Sequence, residues 1–158
     1  MILANVEAVR LACIAWGARD IDAIREIYTP DVVAHGGALW PEGSGEVRGA
    51  EEIISTFESI MSAFESSELI PESLIDGEDV LVVPLLWRGI FRGSEAPIEQ
   101  RLIAAHRFRD GHIAFIGWYP DINEALEAVG LPHSAAETLV PFDSALANVP
   151  GGDRTRRS

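Results

Sequence analysis

Apolar residues in the first half of the chain recur at intervals of three and four, a spacing that places side chains on one face of a helix. The stripe nearest the start consists of Ile2, Val6, Val9, Cys13 and Trp16. A second stripe stops before Pro30, because proline disfavours helical geometry in the residue that precedes it. A third stripe runs over residues 50–65. The pattern predicts three amphipathic helices.

Beyond residue 68 the segments become typical of strands, rich in valine, leucine and aromatic residues and separated by turns. The predicted strands cover residues 69–75, 80–92, 98–109 and 112–119. A short extended piece and a glycine-rich loop precede the third helix, and a capping box at Asp121 predicts a short helix that ends at Gly130. We predict an α+β domain in which three N-terminal helices cover a curved antiparallel sheet, followed by a short C-terminal helix.

The hairpin at Asp110-Gly111 assigns the side chains of the last two strands to faces of the sheet. If these two residues form the turn, Arg109 pairs with His112, and cross-strand partners share a face. The predicted inner face then carries Leu102, Ala104, His106, Phe108, Ile113, Phe115, Gly117 and Tyr119.

The long strand, residues 80–92, adds Leu85, Trp87 and Phe91 to this inner face. Small residues among aromatic ones leave space, and a cavity with a few polar groups is how small-molecule sites are built. The opposite face carries Ile103, Ile116 and Trp118 among arginines, a mixture typical of a partly buried dimer surface.

Composition narrows the classes of function. Hydrophobic residues make up 47% and charged residues 23%, as in globular proteins. The net charge of −13 disfavours nucleic acid and an anionic membrane as partners. We expect a cytoplasmic protein, because no apolar run is long enough to span a membrane and the N-terminus is unlike a signal peptide. All twelve basic residues are arginine, which excludes Schiff-base chemistry on a lysine.

Three residues are candidates for acid–base chemistry. His106 is either a general base or acid, or a core histidine bonded to a backbone carbonyl. Tyr119 is either a donor to a ligand oxygen or an aromatic plug, and His35 is either a second acid–base group or structural. The expected ligand-binding residues are Tyr28, Trp40, Leu85, Trp87, Phe91 and Phe115. We find no metal-ligand spacing or nucleotide motif, and we expect no cofactor and no metal.

Four segments carry a resemblance to a known family. They read YTPDVVAH at residues 28–35, VRG at 47–49, HRFRDGHI at 106–113 and WYPD at 118–121. In order and spacing they resemble the SnoaL-like branch of the nuclear transport factor 2-like superfamily. The resemblance covers residues 1–131, and we expect residues 132–158 to form a partly mobile tail.

The resemblance implies a conical, curved antiparallel sheet wrapped around the three N-terminal helices, and it implies a homodimer. It leaves the activity open. The superfamily includes polyketide cyclases, ketosteroid isomerase, dehydratases, epoxide hydrolases and non-catalytic members. Their usual carboxylates are missing here: Gly36 stands where the isomerases have a general-base aspartate, and Gly117 or Trp118 where aldol cyclases have theirs. The arginine–aspartate pair of the epoxide hydrolases is replaced by apolar residues at 82–86.

We expect a cofactor-free isomerase, cyclase or dehydratase that acts by acid–base chemistry on a small apolar carbonyl or hydroxyl compound. The alternatives are a non-catalytic protein that holds such a molecule and a purely structural dimer module.

Overall fold

The computed structural model describes residues 2–37 and 45–147 of the chain. Its α-helices are α1 (Leu3–Ala18), α2 (Ile21–Ile27), α3 (Ala50–Ser62), α4 (Ile122–Ala128) and α5 (Phe142–Ala147). Its strands are β1 (Tyr28–Gly37), β2 (Gly45–Arg48), β3 (Phe64–Pro71), β4 (Ser73–Asp76), β5 (Val80–Phe91), β6 (Ile98–Arg109), β7 (His112–Tyr119) and β8 (Val140–Pro141). The three predicted N-terminal helices and the short helix after the meander are confirmed. Trp40 and the chain end beyond residue 147 lie outside the described residues.

The strands form one curved sheet in the order β2-β1-β7-β6-β5-β4-β8, with β3 paired to β5 beside β4. The meander β5-β6-β7 is antiparallel, as predicted. β1 pairs with β7 in parallel, so the sheet is mixed and the prediction of an antiparallel sheet is wrong at this strand. No hairpin joins β1 to β7, and periodicity alone carries no information on the relative direction of distant strands.

The hairpin between β6 and β7 contains a bulge that changes the predicted faces. Asp110 and Gly111 have φ values of 54° and 80°, and Arg109 pairs with His112 as predicted. Phe108 pairs with Ile113, but Arg107 then pairs with Phe115, so Ala114 is the extra residue. A bulge of one residue moves every later side chain to the other face.

The predicted inward positions of Phe115, Gly117 and Tyr119 are therefore wrong. Phe115 lies opposite Arg107, Gly117 opposite Ala105, and Tyr119 opposite Ile103. Ile116 and Trp118 take their place beside His106 and Ala104, and they no longer support a dimer surface.

Each face of the sheet has its own apolar core. The inner face packs against α1, α2 and α3, and the fully buried Val6, Ile53 and Leu81 belong to this larger core. The outer face packs against α4, where Leu126 and Ala125 are fully buried against Val82 and Ala105.

The chain continues to pack against the domain after residue 131. β8 pairs with β4, and Phe142 of α5 is 1% exposed within the inner core. The backbone N–H of Phe142 also donates to the carbonyl of Glu72 at 3.0 Å.

Candidate active site

Two apolar cavities lie between the inner face of the sheet and the helices. The tryptophan cavity has a volume of about 40 Å³ and is lined by Trp16, Phe57, Ile60, Leu69, Trp87, Leu102 and Trp118. The histidine cavity, about 30 Å³, has Cys13, Tyr28 and His106 in its wall. The two cavities share Trp16, Phe57, Leu69 and Trp118. They are neighbouring compartments separated by one aromatic wall.

The volumes set a limit on the occupant. One water molecule needs roughly 10–15 Å³, and a cavity of about 150 Å³ holds benzene. Each compartment therefore has room for a few small groups but not for a ring. A ligand with a ring would have to displace part of the shared wall, so that the two compartments join.

Phe57 of α3 is the centre of this wall. Its ring makes edge-to-face contacts with Trp16, Tyr28 and Trp118, at centroid distances of 5.3, 6.1 and 5.9 Å. Aromatic pairs in this arrangement contribute about 0.5–1.5 kcal/mol beyond their burial. The wall is thus anchored by one residue that contacts α1, β1 and β7 together.

The two tryptophans on either side of the tryptophan cavity donate to one hydroxyl group. The indole Nε1–H of Trp16 donates to Oγ of Ser67 at 2.9 Å, and that of Trp87 donates to the same atom at 2.8 Å. Ser67 lies on β3 and is 7% exposed. This serine therefore links α1 to β5 through hydrogen bonds from two residues of the cavity wall.

His106 is 3% exposed and lies in the wall of the histidine cavity. Its Nδ1 lies 3.4 Å from the carbonyl oxygen of Leu81 on the neighbouring strand. A carbonyl only accepts hydrogen bonds, so Nδ1 carries the proton and Nε2 keeps its lone pair. Burial lowers the pKa of the imidazole to about 4, and the bond to Leu81 offsets part of this shift. The ring is therefore neutral at pH 7 and able to accept a proton.

Tyr28 and Cys13 are the other ionisable groups of the histidine cavity. Burial raises the pKa of the Tyr28 phenol, with a smaller contribution from the nearby Cys13. Burial also raises the pKa of the Cys13 thiol to about 12. Both groups stay protonated at neutral pH and are available as uncharged hydrogen-bond donors.

His35 and Tyr119 do not join His106. His35 pairs with Gly117 in the parallel ladder, and its ring stacks on Tyr119 at a centroid distance of 5.6 Å. The Tyr119 ring covers Gly117 so closely that a Cβ there would come within 2.6 Å of the phenol oxygen. The predicted acid–base trio is therefore not assembled, because the bulge at Ala114 places Tyr119 on the outer face.

Some of the predicted ligand-binding residues line the two cavities, and others lie outside them. Tyr28 and Leu85 line the histidine cavity, and Trp87 lines the tryptophan cavity. Phe91 is 42% exposed and stacks on Phe64 at 4.3 Å, outside both linings. Phe115 faces the outer core.

Sequence reasoning missed most of the shared wall. Trp16 and Phe57 belong to the predicted helical stripes, and such stripes do not distinguish a residue that fills a core from one that lines a cavity. Trp118 lies on the inner face and not on the predicted outer face, because the bulge at Ala114 shifts the pairing of β6 with β7 by one residue.

The described part of the chain, residues 2–37 and 45–147, contains neither a candidate metal site nor a candidate membrane-spanning helix. This part of the chain contains no group of three or more histidine, cysteine or acidic side chains placed to hold a metal ion. It also contains no helix with the length and apolar character needed to cross a bilayer.

The curved sheet and its N-terminal helices form the ketosteroid isomerase-like, or nuclear transport factor 2-like, fold, which solved structures of 18% and 21% identity share. The SnoaL-like domain family matches residues 9–116, and the chain belongs to this family. The resemblance expected from the sequence is confirmed. No curated protein matches the chain.

Solved structures support the fold assignment. A ketosteroid isomerase-like protein from Catenulispora acidiphila, solved with trimethylamine, is 18% identical over 80% of this chain and 94% of its own, with a TM-score of 0.65. A Mycobacterium tuberculosis protein bound to estradiol-17β-hemisuccinate is 20% identical over 76% and 95%, with a TM-score of 0.65. A Streptomyces antibioticus protein, provisionally a polyketide cyclase, is 19% identical over 80% and 99%, with a TM-score of 0.64. At these identities the similarity extends to the fold alone.

Proposed function

We propose that the protein binds a small, largely apolar carbonyl compound in the two cavities and moves one of its protons without a cofactor, as an isomerase, cyclase or dehydratase does. The observation that carries this proposal is His106: a neutral imidazole, with its lone pair on Nε2, in the wall of an apolar cavity. The ligands of the structural neighbours, a steroid ester and a small amine, support a small-molecule role for the fold.

The proposed chemistry uses two groups of the histidine cavity. Nε2 of His106 accepts a proton from the carbon next to the carbonyl group, which leaves an enolate and an imidazolium ion. The hydroxyl of Tyr28 donates a hydrogen bond to the enolate oxygen. The imidazolium then returns the proton to another carbon or to a leaving oxygen. No net charge enters the cavity, because the two ions form and disappear together.

The low pKa of His106 is compatible with this role. A carboxylate with a pKa of about 4.6 is a sufficient general base in ketosteroid isomerase. The Leu81 carbonyl, which accepts from Nδ1–H, also stabilises the imidazolium once it has formed. Apolar walls strengthen the attraction between the imidazolium and the enolate.

A non-catalytic binding protein is the second candidate. The bond from His106 to Leu81 is the one that a structural core histidine makes, and none of the described residues that line the two cavities carries a carboxylate. Such a protein would bind the same ligands, but it would leave their carbon-bound protons in place.

Ligand binding is tested with 2-tetralone, a bicyclic ketone with its oxygen at one end. Trp16, Trp87 and Trp118 line the tryptophan cavity, so we expect the ketone to change tryptophan fluorescence in a saturable way. Leu102→Phe fills this cavity and should weaken binding about tenfold or more. The measurement is a fluorescence titration of both proteins.

Arg101→Phe is the matched control, since Arg101 is the neighbouring residue on the outer face, with a side chain that is 73% exposed. It should bind like the wild-type protein. Equal binding by the wild-type protein and Leu102→Phe would place the ligand elsewhere and contradict the proposal.

We also propose a homodimer formed through the outer face of β3, β5 and β6. Ile70 and Leu86 are paired on this face beside Ile103, and all three are only half-buried. Leu86→Arg would place a second positive charge beside Arg101, which is the cross-strand partner of Leu86 on this surface. We expect sedimentation velocity to show a dimer for the wild-type chain and a monomer for this variant. A wild-type monomer at micromolar concentration would contradict the dimer.

A further inference from the structure

The hydroxyl of Ser67 is saturated as an acceptor. A serine oxygen has two lone pairs, and both are used by the indole N–H groups of Trp16 and Trp87, at 2.9 and 2.8 Å. An indole nitrogen only donates, and each has a single hydrogen. The bridge therefore uses the whole hydrogen-bonding capacity of both tryptophans.

This bridge gives the two cavities different chemistry. The walls of the tryptophan cavity are carbon apart from its indole nitrogens, and Ser67 occupies two of the three indole N–H groups. The histidine cavity contains the imidazole of His106, the hydroxyl of Tyr28 and the thiol of Cys13. Polar ligand atoms therefore have three partners at the histidine end of the joined space, whereas the N–H groups of Trp16 and Trp87 at the other end are already occupied.

We infer that Ser67 determines the specificity and the orientation of the ligand. The oxygen of the ligand lies at His106 and Tyr28, and its hydrocarbon end lies between Trp16 and Trp87. By binding both indole N–H groups, Ser67 disfavours ligands with a second oxygen at the far end, because that oxygen would lose its water and find these two donors already occupied. The substrate class is a compound with oxygen at one end and a hydrocarbon ring at the other. This inference rests on the proposed function.

The test compares two ketones that differ only at the far end, 2-tetralone and 6-hydroxy-2-tetralone. An apolar pocket discriminates against an added hydroxyl group by about 100-fold, so we expect the wild-type protein to bind 2-tetralone more tightly by roughly this factor. Ser67→Ala frees both indole N–H groups, which can then donate to the added oxygen. The ratio of dissociation constants should fall below about tenfold, as measured by fluorescence titration.

Two controls separate the hydroxyl group from other effects. Ser67→Thr keeps the acceptor oxygen and should keep the wild-type ratio. Ser66→Ala changes the preceding serine of β3, which is exposed, and should also keep it. In spectra of protein labelled with ¹⁵N-tryptophan, two indole N–H signals should shift in Ser67→Ala and stay in place in Ser66→Ala. If Ser67→Ala does not fold, Ser67→Cys, whose sulfur is a weak acceptor, carries the same comparison.

The outcomes distinguish this inference from the proposed function. Failure of the wild-type protein to bind either ketone would overturn both. Binding of the two ketones with equal affinity, or an unchanged ratio in Ser67→Ala, would overturn the role of Ser67 and leave the proposed function in place.

Discussion

Replacement of His106 by glutamine is expected to slow the exchange of the α-hydrogens of 2-tetralone for deuterium by about 100-fold or more, because a positioned general base contributes at least this factor. Glutamine keeps an N–H group that can donate to the Leu81 carbonyl, but it has no basic nitrogen. Binding of the ketone should change little, since the apolar walls remain. Proton NMR in D₂O measures the exchange, after subtraction of the rate in buffer.

The control for this variant is His112→Gln, since His112 is exposed and is the first residue of β7, directly after the turn at Asp110-Gly111. Exchange by that protein should match the wild-type rate. If His106→Gln exchanged the α-hydrogens as fast as the wild-type protein, the acid–base role would be excluded. If neither protein exceeded the buffer rate while both bound the ketone, the second candidate, a binding protein, would be correct.

The pH dependence of the same reaction follows from the environment of His106. The neutral imidazole is the active form, so the rate falls as pH falls through its pKa. Burial lowers that pKa to about 4, and the exchange rate should therefore stay constant between pH 5.5 and 8. A base with the ordinary histidine pKa of about 6.5 would lose roughly tenfold between pH 7.5 and 5.5.

At lower pH the measurement is limited by stability, because protonation of His106 in the unfolded chain favours unfolding. The folded-state pKa of His106 is below its unfolded value, so stability from this residue is complete above pH 6.5 or so and is lost as pH falls toward 4. Circular dichroism at each pH confirms that the protein is folded where the rate is measured.

The sequence predicted the elements and their order, because these depend on local patterns. The turn at Asp110-Gly111 was correct, since both positions have the positive φ values that aspartate and glycine tolerate. The predicted faces of β7 are correct up to Ile113 and wrong from Phe115 onward, because Ala114 bulges and the sequence gives no sign of that bulge. This one bulged residue places Tyr119 on the face opposite His106 and places Trp118 in the site instead.

The site itself depended on contacts between distant elements. Nothing in the sequence marks Ser67, and only the packing of α1 against β3 and the pairing of β3 with β5 bring two indoles to its oxygen. The position of Tyr28 also depends on contacts between distant elements. The residue was expected to bind ligand, but its position in the same cavity as His106 follows from the pairing of β1 with β7. The sequence shows which side chains can bind or transfer protons, but it does not show which of them the fold brings together.

Phe57→Ala is expected to have the largest effect on stability, a loss of about 3–5 kcal/mol in the free energy of unfolding. Phe57 is 3% exposed, and its removal takes away three edge-to-face contacts and leaves a void in the inner core. Urea denaturation measures the loss. Phe91→Ala is the control, because Phe91 is 42% exposed at the end of β5 and should cost about 1 kcal/mol or less.

The same substitution tests whether the two cavities are compartments of one site. Phe57 belongs to the wall that they share, so its truncation joins them into a space that admits a ring without displacement of the other residues. 2-Tetralone should then bind Phe57→Ala more tightly than the wild-type protein. At a ligand concentration of 100 times the dissociation constant, it would restore about 2.7 kcal/mol of the lost stability. If the ketone stabilised Phe57→Ala no more than Phe91→Ala, the site would lie away from this wall, because a ligand that occupies the joined cavity must replace the contacts that the phenyl ring made.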